Sequence, residues 1–319
     1  IASCLVGSEM CIRDRLTYLY NKMDCKGKKI NSKNGYDIID CNVCMHKHIF
    51  PFPTEDELEK IYSDEYYTEV KPDYIKKVEE DLDWWNINYD ERYDVFESEL
   101  GRKGDVLDIG SGTGHFLKRG NEKGWNTLGF EPSKAAFNYS TKELRLKVLN
   151  QFFTSESKNQ IGLFDAIHMS EVLEHIPYPK ILLKNAFNNL SNNGLICISV
   201  PNDYNPIQLT LKNHLSYQSW WEDPPHHINY FNMSSLETLL INTGFKVVKK
   251  TVTFPIDIFL LMGKNYIGND LLGRECHGLR KEFETNLSKS NDKYFKEKLY
   301  QKFSEAGIGR EIIIYGKKE

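Results

Sequence analysis

The chain has 319 residues, 40% of them hydrophobic and 27% charged, with a formal net charge of −4. That length holds one large domain plus a small appendage, and so weak an acidity gives no electrostatic reason to expect a nucleic-acid backbone as partner. No apolar run approaches the roughly 20 residues of a membrane helix, and the seven cysteines follow no disulfide pattern, which fits a reducing cytosol.

At the start, "LVGSEMCIRDR" (Leu5–Arg15) resembles a translated sequencing adapter, since transposon-end DNA reads Met-Cys-Ile-Arg-Asp in one frame. Residues 1–15 are therefore set aside from fold reasoning, as a tag would be. A signal peptide would need a basic start and an apolar core, which this stretch lacks. Residues 16–53 form a small cysteine-bearing leader, in which Cys41-x-x-Cys44 is half a zinc knuckle. A structural zinc needs four tetrahedral ligands, and no second C-x-x-C supplies them. Cys25, Cys41, Cys44 and His48 are the Cys₃His set open to a zinc; a degenerate ribbon or ordinary thiols is the preferred expectation.

Residues 54–100 read as a helical lead-in. Thr54 and Glu57 make a capping box. Trp85, Tyr89, Tyr93 and Phe96 then recur at helical spacing, predicting a helix that packs on the next domain rather than a platform for stacking bases. Gly101 and Gly104 close the pattern and mark a domain boundary.

From 101 to 319, β-branched runs alternate with helical ones, which predicts an α/β fold with a mostly parallel sheet and helices on both faces. Ligands of such sheets sit at the strands' carboxyl ends. "VLDIGSGTGHF" ends one strand there, with Gly110, Gly112 and Gly114 spelling G-x-G-x-G and His115 where a dinucleotide fold has its third glycine. Asp108 at the strand tip would repel a phosphate but suits an ammonium, and Glu131 after the next strand can accept both ribose hydroxyls. A cation, a ribose and no phosphate together describe S-adenosylmethionine.

The same motifs resemble those of class I S-adenosylmethionine-dependent methyltransferases. "VLDIGSGTG" is similar to the family's first motif, "GFEPS" to its second, and "FDAIHMSEVLEHIP" to the fourth-strand motif of its small-molecule branch. "GLICISVPN" and "HHINYFNMSSLETLLINTGF" follow in the family's order, so the resemblance spans Asp105 to Val248. The stretch before it resembles the cysteine-bearing leader of many such enzymes, which commonly carries two knuckles where this sequence has one. The resemblance implies a Rossmann-like, seven-stranded sheet. It places Asp108, Gly110, Ser111, Gly112 and Gly114 around the methionine and ribose portions. Glu131 would hold the ribose, and Phe130, Pro132, Gln151 and Phe152 would flank the adenine. Met169, Ser170 and Glu171 would close over the sulfonium.

A hydroxyl acceptor needs a general base, for which His227 is favoured over His175, the latter having a competing structural role capping the next helix. Long insertions at about 203–225, with Trp220 and Trp221, and at 255–305 are expected to be lids or binding loops. The expected activity is methyl transfer to a small-molecule acceptor such as a sugar, a quinone precursor or a lipid-linked glycan. A non-catalytic S-adenosylmethionine-binding module and an NAD-dependent oxidoreductase stay open beside it.

Overall fold

The computed structural model describes residues 25–54, 57–58, 74–289 and 294–319. The adapter-like residues 1–15 and the start of the leader lie outside them. Three strands, β1 (Gly27–Lys33), β2 (Tyr36–Cys41) and β3 (Lys47–Phe50), open the described chain. Thr54 and Glu57 do make the capping box: the Glu57 carboxylate accepts from the Thr54 amide at 2.7 Å and the Thr54 hydroxyl from the Glu57 amide at 3.3 Å. Helices α1 (Tyr74–Glu80) and α2 (Leu82–Leu100) follow, and α2 ends on Gly101 in the left-handed conformation, as a helix stop requires.

The alternating part runs β4 (Asp105–Ile109), α3 (His115–Glu122), β5 (Asn126–Phe130), α4 (Lys134–Asn138), β6 (Val148–Leu149), β7 (Phe164–Ser170), α5 (Pro179–Asn189) and β8 (Leu190–Pro201). Beyond it lie α6 (Pro206–Leu215), β9 (Asn229–Tyr230), α7 (Met233–Ile241), β10 (Lys246–Val252), α8 (Ile258–Leu261), α9 (Asp270–Ser288), α10 (Phe295–Glu305) and β11 (Glu311–Lys317). Seven strands form one sheet in the order β10-β11-β8-β7-β4-β5-β6. The pairs β4–β5, β4–β7, β5–β6 and β7–β8 are parallel, whereas β11 runs antiparallel to both β8 and β10. This is the expected Rossmann-like sheet, with its switch of strand order beside β4.

Strand alternation divides the core. Leu107, Ile109, Ile167, Met169, Ile196 and Ile198 face α5 and α7, where Leu183, Leu236 and Leu240 cover them. Val106, Ala166, Leu195 and Cys197 face the other way, onto Tyr93 and Phe96 of α2 and Phe116 of α3. Tyr93 stacks on Phe116 with ring centroids 4.5 Å apart. The aromatic stripe thus packs as expected at its carboxyl-terminal end.

The second insertion is not a lid. Glu284 of α9 accepts from the Trp84 indole at 2.6 Å and from the Tyr300 hydroxyl at 2.6 Å, so α9 and α10 clamp the start of α2. In the first insertion, Trp221 is buried edge-on against Tyr204, 5.4 Å between centroids. Trp221 and Glu284 thus tie the two segments to the body of the domain.

The leader does not stand apart. Its strands make a second, antiparallel sheet of order β1-β2-β3-β9, in which His48 pairs with Asn229 and Lys47 with Tyr230. Through β9 the leader is stitched to the loop that follows α6. Among the described residues, no helix is long and apolar enough to cross a membrane.

Candidate active site

At the carboxyl ends of β4, β5 and β7 lies a cavity lined by Asp108, Gly110, Ser111, Gly112, Glu131, Pro132, Gln151, Phe152, Ser170, Glu171 and His175, with Trp85 and Tyr89 of α2 across from them. Most of the sequence-expected residues therefore converge. Gly110 holds φ +74°, and a Cβ there would meet Val172 at 2.7 Å, so only glycine lets the strand turn away under the cavity. The Gly110 and Ser111 amides both donate to the Phe130 carbonyl, at 2.8 and 3.0 Å, tying the loop to the end of β5.

Glu131 is 5% exposed, and each oxygen accepts one backbone amide: Gly112 at 2.7 Å and Ser133 at 2.8 Å. Burial pushes its carboxyl up to about 7, against those two amides, which favour the ionised form. Each oxygen retains a lone pair for a ribose hydroxyl. Asp108 is also buried. Its Oδ1 accepts from His168 Nδ1–H at 2.7 Å, and His168 Nε2 in turn accepts from the Arg92 guanidinium at 2.7 Å. Burial lowers the His168 pKa, so the ring is a neutral spacer between a cation and a carboxylate. Phe116 stacks on it at 3.8 Å.

Two expected residues fall elsewhere. Met169 is fully buried in the core below β7, because alternation sends His168 and Ser170 to one face and Ile167 and Met169 to the other. Gly114 faces away from the cavity; a Cβ there would meet Leu146 at 2.6 Å, so it permits close packing behind α3. Phe130 borders the cavity but is 1% exposed and packs edge-on against Phe153 at 5.2 Å, whereas Phe152 is 51% exposed at the rim.

The histidines exchange places. His175 lines the cavity, on a short turn, Leu173–His175, that ends before α5 begins, so it does not cap that helix. His227 stands behind it, edge-on with centroids 5.0 Å apart, and does not line the cavity. The Nδ1–H of His175 donates to the His226 carbonyl at 2.7 Å. Among the described residues, none of 203–225 or 255–305 borders the cavity.

Sequence reasoning missed His168, Arg92, Trp85 and Tyr89. Arg92 and the two aromatics sit in the helical stripe, where spacing speaks only of packing, and His168 sits inside a strand. His115, which in sequence stands only in place of a third glycine, borders the cavity, 4% exposed, with neither ring nitrogen hydrogen-bonded among the described residues.

In the leader, the ligand atoms of Cys25, Cys41, Cys44 and His48 all lie within 4.8 Å of one another. Cys25 and Cys44 sulfurs are 3.6 Å apart, and His48 is fully buried with Nδ1 donating to the Ile49 carbonyl at 2.8 Å.

A family model described as "Methyltransferase domain" matches residues 87–250. No curated protein matches the chain. Among solved structures, a S-adenosylmethionine-dependent methyltransferase from Archaeoglobus fulgidus is 18% identical, with 73% of this chain and 94% of that chain covered at a TM-score of 0.48. Magnesium protoporphyrin IX methyltransferase from Synechocystis PCC 6803 is 11% identical, covering 80% and 97% at 0.48. A 1,6-didemethyltoxoflavin-N1-methyltransferase from Burkholderia thailandensis is 14% identical, covering 91% and 99% at 0.45. With half the chain matched by the family model, and a cavity whose carboxylates suit a ribose and an ammonium, the chain belongs to the methyltransferase-domain family, as a class I S-adenosylmethionine-dependent enzyme.

Proposed function

We propose that the chain methylates a hydroxyl of a small organic acceptor, which enters the cavity on the side of His175. One observation carries this reading: the cavity runs from the Glu131, Pro132 and Phe152 end to the Glu171 and His175 end, under Trp85 and Tyr89. The first end suits a nucleoside; the second holds the polar groups that an acceptor would meet. Carboxylates at that second end, Glu171 and Glu311, disfavour a polyanion.

S-adenosylmethionine, when bound, supplies a methyl on an already activated sulfonium. The protein's task is then to position and desolvate, which accounts for about 7–11 kcal/mol in well-oriented reactions. Glu131 would take the ribose hydroxyls and Phe152 the adenine face. Asp108, held by His168 and Arg92, would face the ammonium. Ser170 and Glu171 border the reacting end, and His175 stands where a hydroxyl proton must leave. Incubating the purified chain with labelled S-adenosylmethionine and a metabolite extract tests the reading, followed by mass identification of any labelled product. Binding of the cofactor with no labelled acceptor would make the chain a binding module.

A second reading concerns the leader. We infer that Cys25, Cys41, Cys44 and His48 hold a structural zinc. Three thiols and an imidazole, from the segment before β1, the end of β2, the turn after it and β3, are the donor set of a closed tetrahedral site, and the Nδ1 bond of His48 turns Nε2 toward the ligand role. Elemental analysis of the purified chain should find one zinc, lost on Cys44→Ser; a zinc-free chain with intact leader would overturn it.

A further inference from the structure

We propose that Glu174, His175 and His227 form a second metal site, a two-histidine, one-carboxylate cluster that holds a divalent cation beside the cofactor cavity and presents it to the acceptor oxygen. The proposal rests on the methyltransferase reading for its purpose, though not for its geometry. The three ligand atoms lie within 4.8 Å of one another.

Glu174 supplies the strongest reason. It is 1% exposed, and neither carboxylate oxygen has a hydrogen-bond partner among the described residues. Among the described residues its closest basic atom is His175 Nε2, 3.8 Å from Oε1, too far for a hydrogen bond. Burying a carboxylate without partners is costly, and such groups are ordinarily paired or bound to metal. Burial pushes its carboxyl up first of all, and the neighbouring carboxylates Glu171, Asp203 and Glu311 push it further, against only the pull of its own backbone amide. A divalent cation would answer both the missing partner and the crowding of negative charge.

His175 is oriented as a ligand is. The Nδ1–H of His175 is spent on the His226 carbonyl, which leaves the lone pair on Nε2, the nitrogen near Glu174. A backbone carbonyl on the outer nitrogen is the usual second partner of a metal-bound imidazole. The segment carrying His227 is pinned to the segment carrying Glu174 and His175. The Ile228 amide donates to the Glu174 carbonyl at 2.7 Å, and Asn229 Nδ2 donates to the Leu173 and Ile176 carbonyls at 2.9 and 2.7 Å. All three donors thus ride on one braced unit.

Two imidazoles and a carboxylate fit a first-row divalent ion and leave coordination positions open. His175 also borders the cavity, so an open position can face it. An acceptor hydroxyl reaching that position would ionise near neutral pH, with its proton passing to solvent. The oxygen lone pair would then form the bond to the methyl carbon as the carbon–sulfur bond breaks, and the electron pair left on sulfur would make neutral S-adenosylhomocysteine. His175 would act as a ligand, and no histidine would need to take the proton.

The test uses the full chain as purified, dialysed against metal-free buffer so that the leader's tightly held zinc stays in place, and titrated with Mn²⁺, with the free ion read by electron paramagnetic resonance. Mn²⁺ favours oxygen and nitrogen donors, so the leader thiolates compete poorly. Binding should be one-to-one, and Glu174→Gln and His227→Gln should each weaken it at least about tenfold. Calorimetry with S-adenosylhomocysteine on the same samples reports folding; should Glu174→Gln lose that binding, His227→Gln decides. No Mn²⁺ binding by the wild type at millimolar concentration, or wild-type affinity in His227→Gln, would overturn the site. Mn²⁺ binding without S-adenosylhomocysteine binding would instead overturn the methyltransferase reading and leave the cation site standing.

Discussion

The two ends of the cavity are built by opposite rules. At the cofactor end every buried charge already has a protein partner: Asp108 has His168, His168 has Arg92, and Glu131 has two amides. At the acceptor end Glu174 is buried without a hydrogen bond, and Glu171 holds a left-handed φ of +55°. A preorganised end binds the same ligand in every cycle, while a buried carboxylate without a bond marks the end whose partner arrives from outside. The comparison predicts that changes at one end should alter binding and changes at the other should alter turnover.

The largest effect belongs to the acceptor end. His175→Gln should lower the rate of methyl transfer roughly 10²–10⁴-fold, the usual worth of a group that manages the acceptor proton. S-adenosylhomocysteine affinity, read by calorimetry, should stay within about twofold of wild type, the reach of a change that removes no cofactor contact. An equal loss in both measurements would erase the distinction between the ends.

Next comes the cofactor end. Glu131→Ala removes a charged acceptor of two hydroxyls, each such bond being worth about 1.5–3 kcal/mol. Affinity for S-adenosylhomocysteine should fall by about 10²-fold or more by the same arithmetic. Unchanged affinity would mean that the ribose lies elsewhere.

How much of this was legible follows the same division. β4, its glycines, Asp108 and Glu131 lie close together in sequence, and their chemistry is local: a strand tip, a turn, an acid. Pattern and spacing sufficed there. Met169 lies one residue off the cavity face, because β7 is buried on both faces and hydrophobicity does not betray its parity. The order of His175 and His227 depends on β9 joining the leader's sheet, a pairing between residues 48 and 229 that no local pattern announces. Length alone suggests a lid for the second insertion, whereas its partner, Trp84, lies far back in the chain, where no local pattern points to it.

A smaller, continuous effect should come from pH. The Glu131 carboxyl of the free protein sits at about 7, raised by burial above the ordinary 4.5. Between those values the folded state binds the proton more tightly than the unfolded one, so this group's contribution to stability falls as pH rises through the window. Ribose hydroxyls donate to the ionised form, so cofactor binding should pull that proton off. Affinity should rise about tenfold from pH 6 to pH 8 and level off above it. Calorimetry in buffers of different ionisation heat should show proton release near pH 7; a flat profile with no release would place the carboxylate outside the ribose contact.

The smallest effect on the cofactor end is also the sharpest check of how the leader is joined. His48 pairs with Asn229 in the second sheet, and His46 Nε2 lies 3.0 Å from Asn229 Oδ1. Asn229 in turn fixes the turn that carries Glu174 and His175 through its two bonds to Leu173 and Ile176. Among the described residues, none of the leader touches the cofactor cavity. Loosening the leader with Cys44→Ser should therefore leave S-adenosylhomocysteine affinity within about twofold, as expected of sites that share no contacts. Hydrogen exchange should quicken at Ile228 and Asn229, and turnover should drop through the displaced His175. Equal loosening of the Gly110–Gly112 loop would show instead that the leader steadies the whole domain, and the two ends of the cavity would no longer be separable.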